Sequence, residues 1–529
     1  MKPAAASSTS RAPSTYVSQP GGDWVSTATY QALFAAAALL FLTLFPHSGA
    51  LGLASAPLFL LCIHRFFRLA ATLDEGPAGA DLGSAPSSHA GDAADRRRLL
   101  GRALGLTLVA FQLLRRPGDA LLPDTSPYVH RLWALGLAAV VLWATRAQAV
   151  GPGRSPPQSG RDSSRLAWLA IVGTALTFAY LLRHAPSPRI DVFGLQQRGA
   201  ELLLSGQNPY SALYPNPYDP VETTEFFGRW VAALDHYPYP PLSLLLSTAS
   251  FRLTGDVRFL FLLAHLVVGA ALYRLGGLRP AAAGVIEDRG LLLLCLHLLH
   301  PRGFLVVEQA WTEPLLAGAV ALWLLGRGSA RKTAAGEVAA GSRPLISDGL
   351  LLGLALACKQ YGVLLLLPFA SPALSAHVSP AWLRPYRFRW LLLCLLPLGL
   401  SYLPFFLWQP GDFIEDVVLF QLRQPFRAEA LSLPALLHAL SDIKLPGATA
   451  AIGLLVPLWF FARRRPLRLP AGTAGYLLLV SLQIFGFFAT AKQAFCNYYY
   501  FLGVLLLLTL AQLDDRPTSA RGDAAALPA

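Results

Sequence analysis

Charge is what this chain is short of: Asp, Glu, Lys and Arg make up 14% of its 529 residues, against 54% hydrophobic residues. A soluble chain of this length needs a more polar surface. The repeated apolar runs, each about twenty residues long, imply an all-α polytopic membrane protein instead. Cysteine is scarce as well. Cys62, Cys295, Cys358, Cys394 and Cys496 are scattered and mostly sit inside apolar runs, which excludes a disulfide framework and a CxxC centre. Lysine is scarcer still for so basic a protein, with five against 38 arginines. Together with abundant Leu and Ala, this composition suggests a GC-rich coding sequence and a bacterial source. Metal-ligand spacing is missing too: His297 and His300 lie close together without a third ligand, so neither a metal nor another cofactor is expected.

What the chain does have is a net charge of +13. Its basic residues lie mostly between hydrophobic spans, where they read as topology anchors. No free basic domain or aromatic-interleaved basic stripe is present, which argues against nucleic acid as a partner. Residues 1–27 are Ala/Ser/Pro-rich and expected to be a disordered tail, as are residues 513–529. Spans are expected near 29–45, 51–69, 99–115, 131–148 and 165–184, forming an N-terminal membrane module over 28–185. Arginine-rich loops at 70–98 and 149–165 then fall on one side, the cytoplasmic one. Five crossings place Asp191 on the opposite face.

Residues 186–241 form the longest central interval that does not read as buried helix, and 242–512 a second membrane module. Within that module, Pro240 and Pro241 precede a short apolar run at 241–253, expected to be re-entrant or half-depth. Spans are expected near 257–274, 290–299 and 310–326. Lys359 and Gln360 interrupt the run 347–369; a lone lysine at bilayer centre is costly, so two short helices meeting near Cys358-Lys359-Gln360 are expected. Later spans lie near 390–407, 447–461, 472–489 and 498–512, for roughly eleven to thirteen segments.

This arrangement collects Asp191, Glu308, Glu313, Lys359, Gln360, Arg423, Arg427, Lys492, Gln493 and Asn497 at the non-cytoplasmic face. Such convergence of polar groups is the mark of an active site. At Asp191 the pattern becomes recognisable: an acid, an amphipathic segment, Gly206-Gln207-Asn208-Pro209-Tyr210, then Tyr239-Pro240-Pro241-Leu242, and later Lys359 with Leu366-Leu367-Pro368-Phe369. Over about 186–370 this order resembles the GT-C superfamily of integral-membrane glycosyltransferases, and most of all the polyprenyl-phosphate-mannose-dependent mannosyltransferases of glycosyltransferase family 87. The chain departs from the family pattern, in which the acidic loop usually follows the first span, by four or so extra spans before Asp191.

The resemblance implies transfer of a sugar, mannose by inheritance, from a polyprenyl-phosphate donor to a hydroxyl on a glycolipid, polysaccharide or protein, at a bacterial inner membrane. It needs no cofactor: no D-x-D pair stands in the loop, and side-chain cations can neutralise the leaving phosphate. Asp191 is the implied general base. Lys359, Arg423, Arg427 and Lys492 are the candidates for donor phosphate, and Glu308, Glu313, Gln360, Asn497 and Tyr237 those for sugar or acceptor. The plainer readings are a solvated Asp191, a snorkelling Lys359, helix-entry acids at Glu308 and Glu313, and a Tyr/Pro cluster that only holds the 195–205 segment in place. The rival function is a secondary transporter built around Lys359, though no convincing inverted repeat is seen.

Overall fold

The computed structural model describes residues 89–114, 126–146, 148–149, 156–185, 187–282, 285–334, 343–370, 386–463 and 472–513, with isolated positions between 32 and 68 and between 374 and 383. The expected hairpin near 29–45 and 51–69, and the tails, lie outside these residues apart from those isolated positions and Leu513.

The architecture is helical. Among the continuously described residues, in chain order, come α1 (His89–Leu114), α2 (Ser126–Ala144) and α3 (Pro156–His184), followed by the loop helices α4 (Asp191–Leu204) and α5 (Pro220–Phe227). Next come α6 (Pro241–Thr254), α7 (Arg258–Gly276), α8 (Arg289–Leu298), α9 (Gly303–Glu308), α10 (Glu313–Ala334), α11 (Arg343–Cys358) and α12 (Arg387–Trp408). The chain closes with α13 (Leu433–Ser441), α14 (Thr449–Arg463), α15 (Thr473–Thr490) and α16 (Cys496–Gln512). Among the described residues strand is confined to short antiparallel pairings, of Val285–Asp288 with Gln148–Ala149 and Leu278–Ala282, and of Tyr214–Pro215 with Ala233–Leu234.

Among the described residues five helical stretches are long and apolar enough to cross a membrane: Pro127–Ala144, Gly160–His184, Arg258–Gly276, Arg387–Trp408 and Thr473–Thr490. Shorter apolar helices lie between them, at Arg289–Leu298, Leu345–Cys358, Gln360–Ala370, Thr449–Trp459 and Cys496–Gln512. The burial pattern sorts them. Helix α16 is apolar all round and buried along nearly its whole length, so it forms the centre of the bundle. Helix α12 exposes Leu392, Leu400, Leu403 and Leu407, an outward apolar face suited to lipid.

The run 347–369 is broken where its lysine falls. Helix α11 ends at Cys358, Lys359 is extended (φ −151°, ψ 143°), and a 3-10 turn Gln360–Leu366 follows. Gly362 permits the tight return, because a Cβ there would stand 2.7 Å from the Ala355 carbonyl oxygen. The break frees backbone groups and points the Lys359 side chain away from the apolar run.

The interval 187–240 is ordered by local chemistry. Helix α4 ends in a Schellman motif, with the Gly206 amide donating to Leu203 and the Gln207 amide to Leu202, and with Gly206 at φ +76°. Asn208 then caps the 3-10 turn Pro209–Ser211 by accepting from the Tyr210 amide. Helix α5 opens with a full capping box of Asp219 and Glu222. Helix α4 packs on the turn between α6 and α7: Gln197 donates to the Gly255 carbonyl and accepts from the Val257 amide. On its inner face the buried Gln196 accepts from the Tyr237 and Ser247 hydroxyls.

Helices α14 and α15 touch backbone to backbone. A Cβ on Gly453 would lie 2.0 Å from the Gly486 carbonyl oxygen, and one on Gly486 2.1 Å from that of Gly453. Small residues at such a crossing let two apolar helices gain dispersion contact where lipid offers no hydrophobic drive. Gly453→Val is expected to push them apart at a cost of about 1–3 kcal/mol, the range for overpacking. A lowered thermal midpoint in detergent checks this, and a midpoint equal to wild type contradicts the close crossing.

Candidate active site

A cleft of about 1800 Å³ opens where the 187–240 interval meets the Lys359 break, residues 415–427 and the α15–α16 connection. Its wall includes Asp191, Lys359, Gln360, Arg423, Arg427, Lys492, Gln493 and Asn497. Side chains spread over 300 residues of sequence therefore face one space. Three other sequence candidates lie elsewhere: Tyr237, Glu308 and Glu313 are fully buried and do not line the cleft.

Asp191 stands in the first turn of α4, where a carboxylate complements the helix dipole. Its Oδ1 accepts from the Tyr218 hydroxyl at 2.9 Å and from the Val192 amide at 2.8 Å. The Tyr218 oxygen in turn accepts from the Asp191 amide at 3.1 Å. The Phe226 ring stands edge-on to Tyr218 at 4.8 Å and fixes its direction. Burial and the neighbouring Asp191 charge push the Tyr218 hydroxyl well above the usual phenol range, so it stays a donor. The carboxylate is thus oriented, with Oδ2 left for another partner.

Lys359 is held from behind. Its ammonium lies 3.1 Å from the Glu313 carboxylate and donates to Thr312 Oγ1 at 2.9 Å. The rings of Tyr239, Tyr361 and Tyr498 surround it with centroids at 5.8, 5.8 and 6.0 Å. Glu313 also accepts from the Tyr361 hydroxyl at 3.1 Å. The acid at the start of α10 is therefore the counter-charge of the lysine.

The remaining cations differ in how far they are neutralised. Arg423 pairs with Glu415 at the exposed rim. Arg427 pairs with the buried Glu429, and its guanidinium lies over Phe226 at 4.1 Å and Phe495 at 5.2 Å. Lys492 is different: among the described residues its ammonium donates to the Leu422 and Gln424 carbonyls and meets no carboxylate. Partial burial draws its ammonium below the usual lysine range. The two segments are stitched together, since the Arg427 amide donates to the Lys492 carbonyl and the Leu431 amide to that of Ala494. Gln360 Nε2 donates to the Pro238 carbonyl. Asn497, nearly buried at the floor, keeps an Oδ1 that meets no donor among the described residues.

Tyr237 has a supporting part. Its hydroxyl donates to Gln196, its amide donates to Asp416 at 2.7 Å, and its ring fills the space that a Cβ on Gly199 would enter at 2.7 Å. Tyr210 completes this layer by donating to the Tyr239 carbonyl at 2.8 Å. The Tyr/Pro cluster thus fastens α4 to the bundle.

Sequence reasoning passed over several cleft residues. Tyr218 gives no signal in a loop already rich in tyrosine. Asp235 and His236 are adjacent and polar, and His236 Nδ1 lies 3.2 Å from Asp235 Oδ1, but only burial of the ring distinguishes them from ordinary loop residues. Asp416 sits in a π-helical turn, Glu415–Leu419, between the short helices Pro410–Ile414 and Phe420–Arg423. Burial pushes its carboxyl up to about 7, against the Tyr237 amide that it accepts from, and Asp412, Asp235 and Glu415 add to the rise.

Two predictions test these electrostatics. Breaking a buried ion pair on one side leaves an uncompensated charge and costs about 3–5 kcal/mol, whereas removing both charges is far milder. Lys359→Met and Glu313→Gln should each lower the thermal midpoint more than the double variant does; additive losses in this cycle contradict the pairing. For Asp416 the folded-state pKa of about 7 stands above the 3.8 of a free aspartate. Its contribution to stability is therefore complete below about pH 4, falls as the pH rises toward 7, and is level beyond. Asp416→Asn keeps the acceptor for Tyr237 and should gain thermal stability relative to wild type as the pH is raised from 4 to 8. A difference that is constant with pH counts against the raised pKa.

No protein-family model matches this chain, and no curated protein does. Two solved structures overlap with it, both of ArnT from Cupriavidus metallidurans. The apo crystal structure aligns at 15% identity and a TM-score of 0.39, covering 68% of this chain and 62% of that one. The crystal structure bound to undecaprenyl phosphate aligns at 15% identity and 0.38, covering 68% and 61%. The chain thus spans less than two thirds of the length of those structures.

Proposed function

We propose that this protein is a multi-pass membrane glycosyltransferase of the GT-C type, moving a sugar from a polyprenyl-phosphate donor to a hydroxyl acceptor. The single observation that carries this reading is that Asp191 shares one cleft with Lys359, Arg427 and Lys492. The reaction needs an oriented base at the acceptor oxygen and fixed positive charge at the departing phosphate. The cleft offers both, beside apolar helices along which a polyprenyl chain can lie.

In this mechanism Oδ2 of Asp191 takes the proton of the acceptor hydroxyl while Tyr218 holds Oδ1. The hydroxyl oxygen bonds to the anomeric carbon, the bond from that carbon to the phosphate oxygen breaks, and the electron pair leaves with polyprenyl phosphate. Lys492, whose charge meets no carboxylate, and Arg427, clamped between two rings, receive the growing negative charge. Lys359, already balanced by Glu313, supplies hydrogen-bonding capacity more than net charge. Asn497, with an oxygen unused at the floor, is suited to a sugar hydroxyl. Mannose is the expected sugar and family 87 the expected branch, from the order of residues between Asp191 and Phe369. The active site faces away from the arginine-rich loops, at the non-cytoplasmic side of a bacterial inner membrane, and the acceptor is a glycolipid, polysaccharide or protein.

Asp191→Asn keeps the shape of the side chain and its acceptor oxygen for Tyr218 but removes the base. In proteoliposomes given polyprenyl-phosphate mannose, kcat is expected to fall by about 10²-fold or more, the scale of general-base contributions, with the thermal midpoint retained. Wild-type turnover in a folded Asp191→Asn protein rules out Asp191 as base.

A further inference from the structure

One buried histidine in the cleft wall has no part in the scheme above. His236 is 7% exposed and lines the same cleft as Asp191. Its ring is stacked on Phe420 at a centroid distance of 3.9 Å and an interplanar angle of 23°, with Phe227 at 5.6 Å. A carboxylate can only accept, so the 3.2 Å contact between Nδ1 and Asp235 Oδ1 puts the ring proton on Nδ1. That leaves Nε2 with a lone pair. The atom is buried and meets no donor or acceptor among the described residues. A buried ring nitrogen without a partner costs free energy unless something in the cleft completes it.

The charges around the ring favour a proton arriving there. Asp235 lies on one side, itself paired with Arg229 at 3.2 Å, and the Asp191 carboxylate acts on the ring from α4. The segments that carry Phe420 and Phe227 present aromatic faces to it. Burial draws the imidazole below its usual range, while the hydrogen bond to Asp235 and the charges of Asp191 and Asp235 pull the other way, with Arg229 opposing them. Two carboxylates stand ready to stabilise an imidazolium there. Asp235 is half exposed, on the solvent side of the buried ring.

We infer that the Asp235–His236 pair is the proton outlet of the cleft: His236 Nε2 receives, by way of cleft water, the proton that Asp191 takes from the acceptor hydroxyl. This rests on the transferase reading. The steps balance. The acceptor O–H bond breaks and its proton moves to Asp191. Nε2 then takes that proton, giving an imidazolium held by Asp235, and Asp191 is again a carboxylate. When the product leaves, Nε2 returns the proton to cleft water that now exchanges with bulk, and the ring is again neutral with its proton on Nδ1. His236 acts through Asp191 and is a positioning residue for the proton, while the sugar and phosphate contacts belong to other side chains.

The test has one arm that needs no turnover. In the 15N spectrum of histidine-labelled protein in liposomes, with the His236→Gln spectrum subtracted to assign the signal, His236 should be the Nδ1–H tautomer at neutral pH. Its protonation midpoint should move to lower pH in Asp191→Asn. An Nε2–H tautomer, or a midpoint that ignores Asp191, overturns the inference. The second arm is kinetic: His236→Gln should lose about 10²-fold in kcat with donor and acceptor KM unchanged, and its acid limb should be displaced. Imidazole added to His236→Ala should restore turnover in proportion to its unprotonated fraction, which a merely structural ring would not allow. Wild-type kcat in His236→Gln also overturns the inference. A wild-type protein that transfers no sugar sinks the transferase reading instead, and the spectrum still decides the dyad.

Discussion

A lysine placed in an apolar helical run must find either water or a counter-charge, and the fold is arranged so that Lys359 finds one. The helix breaks at that residue, the ammonium meets Glu313 from the start of α10, and three tyrosine rings enclose the pair. Each of those rings belongs to a different piece of the cleft: Tyr239 to the end of the loop interval, Tyr361 to the 3-10 turn, and Tyr498 to the start of α16. The ion pair is therefore where the loop, the broken helix and the central helix are brought together. Isolated in hydrocarbon either charge would be prohibitive; paired, Lys359 lines the cleft and Glu313 is buried behind it.

The cations of the cleft wall differ in their compensation, and the exposed Arg423 is matched by Glu415. Lys359 is matched by a buried acid, Arg427 by Glu429 and two aromatic faces, and Lys492 by carbonyl dipoles. An anion entering the cleft gains most at Lys492, where it displaces no carboxylate. Asp191 stands across the same space, held by a tyrosine whose direction is set by its own aromatic neighbour. Asp191 and the cations of the cleft are thus kept apart rather than pairing with each other, as the proposed roles of base and phosphate ligands require. A reaction that moves negative charge from an acceptor oxygen to a leaving phosphate requires that separation.

The parts that were legible in the sequence are those governed by local rules or by the cost of charge in lipid. The break at Lys359 follows from one lysine in a long apolar run. Counting arginine-rich turns assigned Asp191, Lys359, Gln360, Arg423, Arg427, Lys492, Gln493 and Asn497 to one side of the membrane, and these side chains line one cleft. The Schellman turn at Gly206 and the cap at Asn208 account for the S-G-Q-N-P-Y word as backbone chemistry. What could not be read is pairing between distant segments. Arg423 and Arg427 looked like free phosphate ligands because Glu415 and Glu429, which neutralise them, carry no mark of doing so. Glu313 looked like a sugar ligand because its lysine lies 46 residues away. Tyr237 looked like a cleft aromatic, yet the tight approach of Gly199 turns it inward. His236 and Asp416 acquire their character chiefly from burial, together with the charges that surround them, and both depend on the whole fold.

The central claim is that one cleft holds the acid and the phosphate-binding cations as a single site. It is tested most directly by a cryo-EM map of the protein in nanodiscs saturated with polyprenyl phosphate. The account places the phosphate within hydrogen-bonding distance of Lys492 and Arg427, with the polyprenyl chain on the apolar helices and Asp191 facing the remaining space. Phosphate density away from these side chains, or a bound lipid that leaves the cleft empty, would contradict it.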